Sequence, residues 1–427
     1  MSKTAYINAR LLDPATGLDT SGTLVTDGES IADFGEKVKA PKGAKTIDCQ
    51  GKCLMPGLVD MRVQLREPGE EYKGTLESAG RAATEGGVTT MVCLPNTTPV
   101  IDDISVLEFV ARRARKLGLA KVYPYGAVTK GLAGEELAEM GMLAEAGALA
   151  FTDGIHAISD ARMMSRALSY AANFGLIIVQ HAEEPSLAAG GCMTGGETAT
   201  RLGLSGIPAA AEVIMDKADI ALDHDHFGGR LHFAHVSTSD AIDTIRAAKA
   251  EGLAITCDTA PPYFALNETA IGDYRTFAKL SPPLRTEADR EAVIAGLKDG
   301  TIDAIASDHA PHDEESKRVP FAQAASGGVG LETLLSVTLE LYHNGHLGLL
   351  DALKLVTSAP ADLFGLTAGR LQKGDPADLV LIDPDSAWKI DADHMVSISK
   401  NTPFDGRPVQ GRTLMTIVDG RPVFKSD

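Results

Sequence analysis

Three polar side chains that follow apolar segments, Asp153, His181 and His235, supply one carboxylate and two imidazoles. That combination suits a zinc ion. Asp308 opens a further polar run after an apolar segment, Asp308 through His312. An aspartate beside such an ion would act as a general base on a metal-bound water, whose pKa the ion lowers to about 7. These residue types predict metal-assisted hydrolysis.

Arg62 and Gln64 stand where a second pair of metal ligands is expected. The segment from Gly57 to Gly69 has the pattern of an apolar strand that opens into a polar loop. Residues 62 and 64 are two apart, so on a strand their side chains point the same way, and two histidines there would hold one metal ion. Arginine has no lone pair to give a cation. The first-strand part of a metal site is therefore altered in this chain.

The elements that would position these residues are eight apolar stretches separated by helical patterns. The strand candidates are residues 57–65, 87–94, 121–127, 148–153, 176–181, 230–236, 253–258 and 302–308. The clearest helical patterns are 105–117 and 161–174. Strand and helix alternating eight times indicate an α/β fold, a distorted (β/α)8 TIM-type barrel. An open doubly wound sheet is the alternative, although no glycine-rich dinucleotide motif follows an early strand.

In such a barrel, catalytic side chains lie at the carboxyl ends of the strands. Each predicted polar residue has a plain structural explanation, such as a hydrogen-bonded histidine or a turn-capping aspartate. Their recurrence at the same relative position favours a shared site. The two chain ends, 1–55 and 366–427, contain short strand patterns and turn residues. We expect them to form one small β domain beside a barrel domain of residues 56–365.

Composition limits the classes of partner and compartment. The formal net charge of −18 argues against nucleic acid and against an anionic membrane surface, because both require basic patches. No run of about 18 apolar residues and no signal-peptide pattern is present. The five cysteines are scattered and form no close metal-type pair, which is typical of reduced thiols. We therefore expect a cytoplasmic protein.

Several motifs together resemble dihydroorotase, of the class I type in the amidohydrolase superfamily. They include the loop after residue 62 and Asn96, and they extend over nearly the whole chain. The others are Leu204 to Pro208 with Glu212, His235 to Thr238, Ser281 to Arg285, Asp308 to His312 and Ser399 to Phe404. The resemblance implies a barrel with a flanking β domain. It also implies interconversion of N-carbamoyl-L-aspartate and dihydroorotate in pyrimidine biosynthesis.

The resemblance assigns roles to residues by position. Asp153, His181 and His235 would be zinc ligands, with Asp308 both a ligand and the catalytic proton shuttle. Three further residues would bind the substrate's carboxylate and ring: Arg66, Asn96 and His312. A forked arginine–carboxylate pair suits that task. At most one zinc ion is expected, and self-association into a homo-oligomer is implied by the family.

Three departures from the family pattern separate the functional alternatives. Arg62 and Gln64 replace a His-x-His pair, the segment 260–264 lacks a His-His pair, and Ser281 replaces an asparagine. The favoured interpretation is a non-catalytic or impaired pseudoenzyme. It would act as a structural partner of aspartate transcarbamoylase, as some dihydroorotase-like chains do.

Two alternatives stay open. The first is an active dihydroorotase that works with a single metal ion at Asp153, His181 and His235. In that case the charge of Arg62 would act where the first metal would lie. The second alternative is another cyclic amidohydrolase of the allantoinase or hydantoinase type. The altered residue Ser281 leaves room for such a change of substrate.

Overall fold

A computed structural model describes residues 3–225 and 229–426 of the chain. The strands are β1 Lys3–Asp13, β2 Leu18–Asp27, β3 Ser30–Gly35, β4 Lys45–Asp48, β5 Cys53–Pro56, β6 Leu58–Val63, β7 Val88–Cys93, β8 Lys121–Pro124, β9 Ile177–His181, β10 Met193–Thr194, β11 Gly206–Ile207, β12 Arg230–Ala234, β13 Ile255–Thr259, β14 Ala304–Ile305, β15 Leu379–Lys389, β16 Pro408–Val418 and β17 Arg421–Lys425.

The α-helices lie mainly between the strands of the central part. They are α1 Leu76–Glu85, α2 Ile104–Leu117, α3 Met140–Glu145, α4 Ala161–Ala172, α5 Pro185–Ala188, α6 Glu197–Leu202, α7 Ala210–Asp225, α8 Ser239–Ala250, α9 Pro261–Ala265, α10 Glu287–Asp299, α11 Glu314–Lys317, α12 Leu334–His343, α13 Leu349–Lys354 and α14 Ser358–Phe364. Within residues 3–225 and 229–426, no helix combines the length and apolar character needed to cross a membrane.

The central strands close into a ring of parallel strands. β6, β7 and β8 pair in order, and β9, β12, β13 and β14 pair in order. Single bridges complete the circle: Phe151 lies between Gly126 and Ile178, and Val63 pairs with His309. The predicted class, a distorted (β/α)8 barrel with a β domain, is confirmed.

The fourth strand position differs from the prediction of a strand over 148–153. Only Phe151 is bridged, although two neighbouring amides still bond to the β8 side. Leu149 N donates to Pro124 O at 3.1 Å, and Thr152 N donates to Gly126 O at 3.0 Å. The following residue, Asp153, turns its side chain toward the preceding loop, so the extended pairing stops there.

Local sequence signals explain the two helices predicted most clearly. α2 begins after Asp103, whose side chain accepts from Ser105 N, and ends at Gly118 in a left-handed conformation with φ +64°. α4 begins after Asp160, whose side chain accepts from Met163 N. α4 ends at residue 172, so the predicted end at residue 174 was two residues too far along the chain.

Strands from both parts of the chain form one sheet beside the barrel. Its order is β17-β16-β15-β5-β1-β2-β3, with β4 paired to β1. β5 and β15 pair antiparallel, so residues 53–56 meet residues 379–382. Fully buried apolar side chains, among them Tyr6, Leu24 and Ile417, form a separate core under this sheet. The predicted domain limits of 1–55 plus 366–427 and 56–365 stay a prediction.

Candidate active site

The carboxyl ends of the barrel strands surround a cavity of about 570 Å³. Parallel strands present their carboxyl ends at one rim, so residues far apart in sequence meet there. Eight of the nine predicted site residues line this cavity: Arg62, Gln64, Arg66, Asn96, His181, His235, Asp308 and His312. Asp153 is the predicted residue that does not line it.

Three of the predicted site residues adopt left-handed backbone conformations. φ is +67° at Arg66, +41° at His235 and +52° at Asp308. Non-glycine residues pay an energetic penalty there, and surrounding contacts must hold them. Asp258 on β13 supplies one such contact, accepting from the His235 amide at 3.0 Å. The other oxygen of Asp258 lies 2.8 Å from His232 Nε2.

Four cavity residues form a continuous hydrogen-bonded chain. Arg62 Nε donates to Asp308 Oδ1 at 3.0 Å, and Asp308 Oδ2 lies 3.0 Å from His235 Nδ1. His235 Nε2 lies 2.8 Å from His181 Nδ1. Arg62 Nη2 also donates to Gly154 O at 3.1 Å. These hydrogen bonds therefore connect residues across the rim, from the first strand of the barrel to the fifth.

The charges of this hydrogen-bonded chain follow from its surroundings. Burial alone would raise the pKa of Asp308, but His235 and Arg62 outweigh it and hold the pKa at about 2. Burial and then the neighbouring His235 lower the pKa of His181 well below its usual range. Asp308 is therefore a carboxylate that only accepts hydrogen bonds. Because Asp308 only accepts, His235 Nδ1 donates to it, while the direction of the bond between His235 Nε2 and His181 Nδ1 depends on which ring carries that proton.

Asp153 is turned away from the two histidines. Its Oδ1 accepts from the amides of Val128 and Thr129 at 3.0 and 2.9 Å, and its Oδ2 accepts from Thr129 Oγ1. Burial raises the pKa of the Asp153 carboxyl, and these hydrogen bonds oppose the increase. Both oxygens of Asp153 accept hydrogen bonds from the loop after β8, so the structure does not bring Asp153 to His181 and His235.

The predicted zinc ligands do not gather as a metal site. No group of three or more histidine, cysteine, aspartate or glutamate side chains within residues 3–225 and 229–426 has a metal-binding arrangement. The lone pairs of Asp308 and His235 that face the cavity are directed at protein donors. A zinc ion needs such lone pairs free. The residues present do not fit the ion in this arrangement.

The predicted substrate-binding residues Arg66, Asn96 and His312 all line the cavity. Arg66 donates to Pro311 O and to Glu70 Oε2, each at 3.0 Å. His312 Nε2 lies 2.8 Å from Ser326 O, a contact that requires a proton on that nitrogen. Burial and then Arg66 lower the pKa of His312 to about 3, so this ring is neutral. Lys73 pairs with the same Glu70.

The altered positions of the family pattern also have defined surroundings. Gln64 Oε1 accepts from Asn96 Nδ2 at 3.1 Å, which ties the first two strand ends together. Ser281 lines the cavity. Tyr263, within the segment that lacks the His-His pair, places its ring edge-on to His235 with 6.5 Å between centroids. Its hydroxyl donates to Pro282 O at 2.8 Å.

Sequence reasoning missed three residues that shape the site. Asp258 holds the His235 backbone, and Tyr263 packs against its ring. Glu183 Oε2 lies 3.9 Å from His181 Nε2, and burial raises the pKa of Glu183. The signal for Glu183 is its position two residues after a strand-end histidine. Asp258 lies within a predicted strand, and nothing in the sequence around it indicates a role in the site.

Solved structures of known enzymes share this fold. The L-hydantoinase (dihydropyrimidinase) from Arthrobacter aurescens superposes with a TM-score of 0.88 at 27% identity, covering 100% of this chain and 96% of that chain. Dihydropyrimidinase from Brevibacillus agri NCHU1002 gives 0.83 at 23% identity, covering 99% and 95%. The barrel, the flanking sheet and the rim site define a member of the amidohydrolase superfamily.

Sequence relatives narrow the assignment. A family model described as dihydro-orotase-like matches residues 51–241. The chain is 47% identical to a dihydroorotase of Anaplasma phagocytophilum (strain HZ), over 99% of this chain and 95% of that protein. It is 46% identical to one from Syntrophotalea carbinolica, over 99% of each. The chain belongs to the dihydroorotase family.

Proposed function

We propose that this chain is a dihydroorotase-family protein of pyrimidine biosynthesis that does not turn over dihydroorotate. In this proposal it serves as a structural partner of an aspartate transcarbamoylase. The observation that carries the proposal is the hydrogen-bonded chain from Arg62 through Asp308 and His235 to His181. Those contacts engage the atoms that would hold a hydrolytic metal ion. Asp153, the remaining candidate ligand, is bonded elsewhere.

An active enzyme with a single zinc ion is the second candidate. The cavity of about 570 Å³ and the presence of Arg66, Asn96 and His312 in its lining favour this candidate. The names of the curated relatives favour it as well. It requires Asp153 to leave its bonds with Val128 and Thr129 and His181 to release His235. Both changes must occur before the three ligands can share one ion.

The test of catalysis is a dihydroorotate hydrolysis assay, run in both directions on purified protein with added zinc. An Asp308→Ala variant is the blank, because Asp308 is the predicted proton shuttle. We expect the unmodified chain to give no turnover above this variant. Turnover that disappears in Asp308→Ala would overturn the proposal and establish the enzyme. Hydantoin and allantoin in the same assay test the alternative of a cyclic amidohydrolase of the allantoinase or hydantoinase type, since the L-hydantoinase is 27% identical.

The partner role needs a separate measurement. The chain and the aspartate transcarbamoylase of the same organism are expressed together, and only one of them carries an affinity tag. We expect co-elution as a complex of defined mass by light scattering, together with loss of transcarbamoylase stability when this chain is omitted. Two proteins that migrate separately at micromolar concentration would contradict the partner role. The same light-scattering run reports whether this chain forms a homo-oligomer by itself.

A further inference from the structure

We propose that Arg62 takes the place of a metal ion in this site. Its guanidinium acts as a built-in cation that holds Asp308 and the histidine pair together and keeps divalent cations out. The inference deepens the proposed function and rests on the same cavity. It concerns what Arg62 does to metal binding, so metal content can test it independently of turnover.

The first argument is the position of the charge. The Arg62 side chain is 2% exposed, and its guanidinium is anchored at two points. It donates to Asp308 after the eighth strand and to the Gly154 carbonyl after the fourth, so it extends from the first strand into the middle of the rim. Arginine keeps its positive charge in proteins. A permanent cation therefore lies among the side chains expected to bind one.

The second argument is the charge balance. A buried carboxylate must be paired with a positive group, and Arg62 provides this for Asp308 at 3.0 Å. The cavity lining contains one other carboxylate, Glu70, which already pairs with Arg66 and Lys73. The charges of Arg62 and Asp308 already cancel, so a divalent ion beside them would add two positive charges next to the guanidinium. Repulsion from the adjacent guanidinium would oppose its entry.

The third argument is the supply of lone pairs. Asp308 and His235 direct their acceptor atoms at Arg62, at each other and at His181. Whichever ring donates, His181 Nε2 is the one ring nitrogen of the pair outside these hydrogen bonds. Together with Glu183 Oε2, 3.9 Å away, it offers fewer than the three protein ligands of a catalytic zinc site. Arg62 supplies the donor that engages the remaining oxygen of Asp308. Its removal would free Asp308 and let both rings rotate.

The experiment measures zinc per chain after equilibrium dialysis. The wild type is compared with Arg62→Gln, which removes the charge, and with Arg62→Lys, which keeps it. A double variant, Arg62→His with Gln64→His, places two imidazoles on the first strand. Arg407→Gln is the charge-matched control, because Arg407 pairs with Glu340 away from the cavity. Cobalt absorption spectra report the ligand geometry in the same proteins.

We expect no stoichiometric zinc in the wild type, Arg62→Lys or Arg407→Gln. We expect about one zinc per chain in the double variant and a clear gain in Arg62→Gln. Adding His181→Ala to each protein identifies zinc bound at this site, because that zinc is then lost. Circular dichroism and Tm measurements check that each variant is folded. If Arg62→Gln is not folded, the double variant provides the test.

Zinc bound by the wild type and lost in His181→Ala would overturn the inference. So would folded Arg62→Gln and double variants that take up no zinc. These results are separate from the fate of the proposed function. Dihydroorotate turnover by metal-free wild type would overturn the proposed function and leave the role of Arg62 intact.

Discussion

Asp219 lies on the buried face of α7, where its side chain accepts a hydrogen bond from Gln180 Nε2 at 2.8 Å. The residue is 2% exposed, and burial raises the pKa of its carboxyl to about 7 despite that bond. Asp216, one helical turn earlier, is also buried, and burial raises its pKa well above the usual range. The interior beneath α7 therefore holds carboxyl groups in their protonated form at mildly acidic pH.

The raised pKa of Asp219 predicts a stability that falls as pH rises. The folded chain keeps a proton that the unfolded chain releases near pH 4, so the stabilisation is complete below that value. It is lost progressively up to about pH 7, at about 1.4 kcal/mol for each pH unit. Asp219→Asn removes this titration. Between pH 5 and pH 8, we expect the free energy of unfolding measured in urea to fall less in the variant than in the wild type, by about 3 kcal/mol.

The control for this measurement is Asp240→Asn, a change at an exposed aspartate on α8. Its unfolding free energy should follow that of the wild type across the pH range. Parallel curves for the wild type and Asp219→Asn would show that Asp219 does not titrate between the two pH values. Because Asp219 also helps to raise the pKa of Asp216, the difference between the wild type and Asp219→Asn includes the part of the Asp216 shift that depends on Asp219.

At the scale of single residues, the types of the site residues could be predicted from sequence but their partners could not. Arg62 was recognised as unable to bind a metal because its chemistry is independent of context. The orientation of Asp153 depends on two amide donors, Val128 and Thr129, which come from the preceding loop. Such competition between acceptors and donors leaves no pattern in the sequence.

At the scale of elements, the first turn of α7 joins two strand-end loops. Glu212 accepts from the amides of Ser237 and Thr238 at 2.8 and 3.1 Å, and from Arg285 Nη2 at 3.1 Å. The Glu212 and Arg285 side chains are 2% and 3% exposed, so this is a buried ion pair. It fixes the loop after β12 to the segment that leads into α10.

Breaking this pair on one side should destabilise the fold strongly. Arg285→Met leaves the Glu212 carboxylate buried without its cation, and we expect a loss of about 3–5 kcal/mol in the free energy of unfolding. The double variant Glu212→Gln with Arg285→Met should lose less than the sum of the two single changes. Chemical denaturation of the four proteins measures the coupling. Strictly additive losses would contradict an energetic link between the two residues.

The barrel elements were predictable because their apolar runs and caps are local signals. β6, β7 and β12 lie within the predicted strands, and α2 begins within one residue of the prediction. The short strands β10 and β11 were not predicted. Each has two residues, and their pairing of Met193 with Gly206 depends on the fold of the whole loop between them. Length and local pattern decide which elements a sequence reveals.

At the scale of the whole molecule, the sheet beside the barrel depends on the last part of the chain. β16 pairs with β15 and with β17. Gly411 O on β16 also accepts from Ser336 Oγ on α12 at 2.7 Å and from Trp388 Nε1 at 2.9 Å. The C-terminal strands thus contribute to both the sheet and the packing of a barrel helix.

Removal of residues 406–427 should therefore prevent recovery of soluble protein. The deletion leaves β15 with an open edge and exposes the apolar side chains beneath β16, two features that promote aggregation. Soluble yield and light scattering after purification measure the effect. A matched deletion of residues 426–427 keeps all strands and should behave like the full chain. A soluble, monodisperse protein lacking 406–427 would show that the sheet is complete without β16.

The ion pair between Arg62 and Asp308 joins residues 246 positions apart. Its formation requires the first and last strands of the barrel to meet, and closing so long a loop carries a large entropic cost. Contacts of this kind form late, after the intervening strand–helix units are in place. Changes at Arg62 should therefore act on how fast the folded chain opens, with little influence on how fast it folds.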